Sequence, residues 1–195
     1  AIIQPSSWGK KKLADVHLDA MLYCEFRCAY CSSDAGMHLK MRKRSNDQIV
    51  RDAAGRSFDP HADKDVTITY GDDFVQALEA ELDAKRRRPG HGKTLVYSQL
   101  TDGFSPVLVR RGIPRKVLEL LLDKTDYRIR VLTKSAIVGQ PEWLRFFAAH
   151  ADRFVVGLST GSLDPKFSRR MEALTSVPKS RIKALQRLQD AGVPT

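Results

Sequence analysis

Along the chain, short runs of alternating apolar residues take turns with longer stretches in which apolar residues recur at helical spacing. Val16, Leu18 and Ala20 alternate with polar neighbours, which predicts a strand over residues 16–23. Residues 66–70, Val-Thr-Ile-Thr-Tyr, are β-branched and aromatic and read as a short strand or extended segment, and residues 94–98, 127–132 and 154–158 read as strands for similar reasons. Between them lie helical stripes. Ser45, Asn46 and Asp47 can cap a helix that runs to about Ala54 and stops at Gly55, and Asp72 or Asp73 can cap one carrying Phe74, Val75, Leu78 and Leu82 before Pro89-Gly90. Pro114 opens a helix with Val117, Leu118, Leu121 and Leu122, and Pro141 opens one burying Trp143, Leu144, Phe147 and Ala148. A last helix shows Ile182, Leu185 and Leu188 and is closed by Gly192.

Strand, loop and helix therefore repeat about four times, which predicts an α/β fold with a parallel sheet and helices outside it. Such folds collect their chemistry on the loops that follow the strands. Here those loops begin at Cys24, continue with Thr101 and Asp102 after the 94–98 strand, with Thr133 and Lys134 after the next, and with Ser159 and Thr160 after residue 158. Short polar residues in such places also cap turns, and a lysine at a strand end is ordinarily a solvated charge. Residues 1–13 read as a lead-in and 14–195 as one core. The pattern reaches Val193-Pro194-Thr195 where a further strand would start, so the expectation is a partial, open barrel, truncated there, whose sheet edge a partner chain or further domain would cover.

Composition narrows the class. The 195 residues are 42% hydrophobic and 29% charged, enough to bury a core, and no run of about 18 apolar residues or signal-like N-terminus is present. This predicts a cytoplasmic protein outside the membrane. The net charge of +10 comes in bursts at Lys10 to Lys12, Lys40 with Arg42 to Arg44, Arg86 to Arg88, Arg110 with Arg111, and Arg169 with Arg170. Bursts of this kind attract nucleic acid or another polyanion without naming it. Basic helix ends explain some of them equally well, as Arg86 to Arg88 would at the end of the helix that precedes them.

All three cysteines fall within eight residues, Cys24-Glu25-Phe26-Arg27-Cys28-Ala29-Tyr30-Cys31. Three thiolates on one loop are suited to an iron-sulfur cluster. With three protein ligands on a four-iron cubane, one iron keeps a position open for an amino and carboxylate group. Other readings are a zinc site completed by His38, a disulfide with one thiol left over, or unlinked core cysteines; zinc more often takes two separated cysteine pairs.

The octet, with Tyr30 in the aromatic place of C-x3-C-x-aromatic-C, resembles the signature of the radical S-adenosylmethionine (radical SAM) superfamily. Leu100-Thr101-Asp102, the stretch from Val131 to Val138, Val156-Gly157-Leu158-Ser159-Thr160 and the stretch from Arg187 to Pro194 resemble its spore photoproduct lyase-like branch. The resemblance implies a partial parallel β/α barrel of the radical SAM type. It implies that Cys24, Cys28 and Cys31 ligate a [4Fe-4S] cluster whose fourth iron takes the amino and carboxylate groups of S-adenosylmethionine. It further implies that Tyr30 lies beside the adenine, Thr101 and Asp102 near the methionyl amino group, Lys134 at the carboxylate, and Ser159 and Thr160 near the ribose or methionyl part. The implied activity is reductive cleavage of S-adenosylmethionine to a 5′-deoxyadenosyl radical that abstracts hydrogen from an unidentified substrate, nucleic acid being one candidate, with an electron donor such as flavodoxin or ferredoxin. The sequence departs from the family in two places. The usual Gly-Gly-Glu is absent, and no cysteine beyond the three stands where spore photoproduct lyase has its hydrogen donor. Without a cofactor pocket, the alternatives are a non-catalytic iron-sulfur or zinc protein binding nucleic acid or a partner subunit through its basic surface, or a degenerate barrel in a larger assembly.

Overall fold

One sheet holds five strands in chain order, β1 (Gln4–Pro5), β2 (Val16–Leu18), β3 (Thr94–Tyr97), β4 (Arg128–Thr133) and β5 (Phe154–Leu158). The computed structural model describes residues 1–11, 13–21, 24–31, 47–48, 50–52, 54–57, 59 and 73–195. β1 pairs antiparallel with β2, and β2 to β5 are mutually parallel. Neighbouring parallel strands need a crossover, and the described crossovers are helical. They comprise α1 (Phe74–Asp83), α2 (Pro106–Arg110), α3 (Ile113–Lys124) and α4 (Pro141–Ala149), while α5 (Pro165–Met171) and α6 (Pro178–Asp190) follow β5. The result is the expected α/β architecture, four parallel strands of an open β/α barrel.

Register explains the core. Leu95 pairs with Ile129 and Ile129 with Phe154, while Tyr97 pairs with Val131 and Val131 with Val156, so these six share one face of the sheet. All are buried and join Phe74, Leu78 and Leu82 of α1, Val117, Leu118 and Leu121 of α3, and Trp143, Phe146 and Phe147 of α4 in one apolar cluster. The alternate residues of β4, Arg130 and Leu132, pair with Val155 and Gly157 on the opposite face and are less buried. The strand ends that carry the loops therefore hang from a rigid layer.

Several expectations change in detail. The first strand closes at Leu18 rather than residue 23, because Asp19 turns its carboxylate onto the Leu100 and Thr101 amides and ends the ladder there. Two short helices were not expected: α2 lies in an apolar run without helical period, and α5 has few apolar residues. The last helix buries Arg181, Ala184 and Leu188, leaving Ile182 39% exposed, so its inner face is turned from the one its aliphatic residues suggest. Gly139 explains how close α6 comes: a Cβ there would stand 2.6 Å from Ala184 Cα. Gly192, at φ 75°, ends α6 as expected, and Val156 N–H donates to Pro194 O at 2.8 Å, so the chain returns along the outer edge of β5.

Arg86 to Arg88 do not end α1, which stops at Asp83. Arg88 instead caps α3, donating to the carbonyls of Leu122, Asp123 and Thr125 and to the Asp126 carboxylate at 2.6 Å. That is the macrodipole role of a basic residue, on a different helix. Described residues between 47 and 54 are helical and Gly55 follows them at φ 66°, as expected. The expected strand at 66–70, the caps Ser45, Asn46 and Asp72, the basic residues Lys12, Lys40 and Arg42 to Arg44, and His38 lie outside the described residues. Among the described residues no helix is long and apolar enough to cross a membrane.

Candidate functional site

The cysteine loop follows β2 and is fastened at three points to the loops of later strands. Glu25, buried, accepts from the Val107 N–H at 2.8 Å, at the start of α2. The Ala29 N–H donates to Met171 O at 2.8 Å, at the end of α5. The Tyr30 hydroxyl donates to Glu172 Oε1. Between these anchors Arg27 takes φ 44°, a left-handed conformation that a side chain adopts only where the surroundings impose it.

All three cysteines are free, with Cys28 buried and Cys24 and Cys31 partly buried. The Cys24 thiol is pushed up by burial and by the Asp102 carboxylate, against backbone hydrogen bonds from Phe26 and Asp102. Burial also raises Cys28, while the Lys134 ammonium pulls it down. A coordinated metal would override these protonated states, since a bound thiol is deprotonated outright. The disulfide reading does not fit free thiols. The zinc reading rests on His38 as the fourth ligand, which lies outside the described residues. A cubane takes each thiolate on a different iron, and three thiols on one loop suit that donor set.

At the next strand end, Asp102 is buried and its carboxylate accepts three hydrogen bonds from protein. Thr133 Oγ1 donates to Oδ1 at 2.6 Å, the Phe104 N–H to Oδ1 at 3.0 Å, and the Lys134 N–H to Oδ2 at 2.8 Å. Burial raises its carboxyl in spite of these donors. A carboxylate has about four acceptor sites, so among the described residues one on Oδ2 stays open. Thr101 donates from both its amide and its hydroxyl to Asp19 Oδ1, each at 2.9 Å. Thr101 and Asp102 thus brace the loop ends beside Cys24, a role in turn geometry that does not remove a ligand-facing one.

Lys134 and Ser159 come together: Nζ lies 3.3 Å from Ser159 Oγ and 5.8 Å from the centre of the Tyr30 ring. Tyr30 is 43% exposed although its hydroxyl is tied to Glu172, and burial together with that carboxylate holds the phenol well above its ordinary value, keeping it a donor. Thr160 is exposed and its hydroxyl donates to Ser162 O at 2.9 Å, away from this group.

Two residues of the site were not anticipated. Glu172 and Arg181 form an ion pair whose side chains are 0% and 1% exposed. Arg181 also donates to Ser159 O at 2.5 Å, and Glu172 Oε1 also accepts the Gly161 N–H at 3.3 Å. Burial works to raise Glu172, but the hydrogen bonds of Arg181 and Tyr30 and the charges of Arg181 and Lys134 hold it below its ordinary value. Arg181 stands at helical spacing from Ala184 and Leu188, but the aliphatic pattern of the sequence does not mark that stripe as the buried one, and a buried arginine calls for a buried acid only once the fold is known.

A family model described as the Radical SAM superfamily matches residues 20–195. Comparison with curated proteins and with solved structures gives no match.

Proposed function

The chain belongs to the radical SAM superfamily, and we propose that it cleaves S-adenosylmethionine reductively and turns the product on a nucleic acid or similar polyanion, in the manner of the spore photoproduct lyase-like branch. Superfamily membership makes it an enzyme whose cofactors are a [4Fe-4S] cluster and S-adenosylmethionine. When bound, that pair supplies an electron and a 5′-deoxyadenosyl radical able to take hydrogen from a substrate. The observation that carries the reading is the meeting of Lys134, Ser159 and the exposed Tyr30 ring beside the three-cysteine loop.

Each residue then has a task of its own. Cys24, Cys28 and Cys31 hold the cluster as thiolates. The Lys134 ammonium is a point charge suited to the methionyl carboxylate, and the open face of Tyr30 suits the adenine. Ser159 offers a hydroxyl to the ribose or methionyl part, with Thr160 on the rim. The remaining acceptor site on Asp102 and the Thr101 hydroxyl suit the methionyl amino group. Arg27 and Lys134 add positive charge that eases reduction by a carrier such as flavodoxin or ferredoxin. Support for a polyanionic substrate is the net charge of +10 and exposed pairs such as Arg169 with Arg170, which can contact phosphates.

Anaerobic cluster reconstitution followed by dithionite and S-adenosylmethionine tests the cleavage. We expect 5′-deoxyadenosine from the wild type and none from Cys28→Ala, which should lose the cluster. A fully loaded wild-type protein that forms no 5′-deoxyadenosine overturns the reading. Oligonucleotide should bind with an affinity that falls steeply with salt and should alter the rate of cleavage. No binding at low salt removes nucleic acid as the substrate class.

A further inference from the structure

We infer that Glu172 and Arg181 are positioning residues of the cluster loop, gripping Tyr30 by its hydroxyl so that its ring stands as a fixed wall beside Lys134. This rests on the reading that the three cysteines hold the cluster.

The partners of the pair carry the argument. A buried ion pair is a weak device for stability, because desolvating two charges offsets most of their attraction. Its partners show what else it serves. Glu172 Oε2 takes Arg181 Nη2, while Oε1 takes both the Tyr30 hydroxyl and the Gly161 N–H. Arg181 Nη1 reaches Ser159 O, and Nη2 lies 3.5 Å from Ser168 Oγ. Beyond Ser168 and the pair's own bond, these contacts fall on the cysteine loop or on the loop after β5. The residue before Glu172 adds a further tie, since Met171 O accepts from Ala29 of the cysteine loop. Gly161 makes room for the arrangement: a Cβ there would stand 3.0 Å from the Tyr30 hydroxyl oxygen. The outcome is an aromatic ring held at its polar tip on a side chain that stays 43% exposed, which loses little freedom when a flat ligand lies on it.

A plain structural brace between α5 and α6 would use the same ion pair, and the test separates the two. Wild type, Tyr30→Phe, Glu172→Gln and the double variant are reconstituted as full chains, and iron release to bathophenanthroline disulfonate is timed without S-adenosylmethionine. Losing a hydrogen bond to a charged partner should speed release about tenfold in each single variant, and the double variant should be no faster than the singles. In a second arm, the KM for S-adenosylmethionine should rise about tenfold with kcat within about twofold, for the same lost contact. Wild-type iron release and KM in Glu172→Gln, with only a lower Tm, would overturn the proposal in favour of the brace. Effects that add in the double variant would also overturn it, because Glu172 would then not act through Tyr30. If Glu172→Gln does not fold, Tyr30→Phe decides, and wild-type iron release there sinks the idea. A wild type that loads its cluster but cleaves no S-adenosylmethionine defeats the proposed function, and the iron-release arm still settles the grip.

Discussion

Behind β4 and β5, Phe104, Trp143, Phe146, Phe147 and Phe154 form a layer of rings, with Phe104 and Trp143 centred 4.8 Å apart and Phe147 and Phe154 5.0 Å apart. At the C-terminal ends of β3, β4 and β5, Asp102, Thr133, Lys134 and Ser159, with Glu172 at the end of α5 and Arg181 of α6 behind them, form a layer of directed hydrogen bonds. The rings depend on area and shape, so a change of one costs in proportion to the volume removed. The polar layer depends on direction, and one lost acceptor strands several donors at once. One residue joins the layers: Phe104 packs in the first and gives its N–H to Asp102 in the second. The difference assigns stability to one layer and geometry to the other.

Removing a ring should have the largest effect on stability. Phe147→Ala should lose about 3–5 kcal/mol in denaturant unfolding, while the protein that remains folded loads iron as the wild type does. A cluster lost in proportion to stability would mean that the layers are not separable. Asp102→Ala comes next: it leaves the buried Thr133 hydroxyl and two amides without their acceptor, at a cost of about 2–3 kcal/mol, and it should weaken S-adenosylmethionine binding out of proportion to that loss. Unaltered binding would make Asp102 a turn residue and nothing more.

Acid probes the polar layer through Glu172. Glu172 sits below its ordinary value in the folded protein, so the stability it contributes is present above about pH 4.3 and is lost as pH falls through its folded value. Tm should therefore drop on acidification, and the drop should be shallower in Glu172→Gln; equal slopes would remove Glu172 as the cause. The smallest effect belongs to Ile182→Lys, within about 0.5 kcal/mol because the side chain faces water. A large loss there would mean that α6 packs on the face its aliphatic residues suggest.

That last case shows where the sequence could and could not be read. Strand and helix order followed from apolar spacing, because Leu95, Ile129, Val131, Phe154 and Val156 meet the helices through nothing more than alternation. The cysteine loop was legible because its chemistry is local, three thiols in eight residues. The helix α6 was legible but its inner face was not, because a charged residue lies inside: Arg181 is buried against Glu172, nine residues earlier, and pairing of that kind has no period. The same holds for Arg88, whose place at the end of α3 depends on a fold that brings residue 88 to residues 122–126. Lys134 and Ser159 could be placed on strand ends from the sequence, but their approach to 3.3 Å required β4 and β5 to be neighbours in register.

The claim on which the account turns is that the cysteine loop and the Lys134–Ser159 strand ends form one cofactor site. Electron paramagnetic resonance of the dithionite-reduced cluster, recorded while S-adenosylmethionine is titrated in, tests it directly. The account predicts a saturable change in the cluster spectrum for the wild type, and the same change at higher cofactor concentration for Lys134→Ala with its iron content intact. A fully loaded wild-type cluster whose spectrum does not respond to S-adenosylmethionine would contradict it.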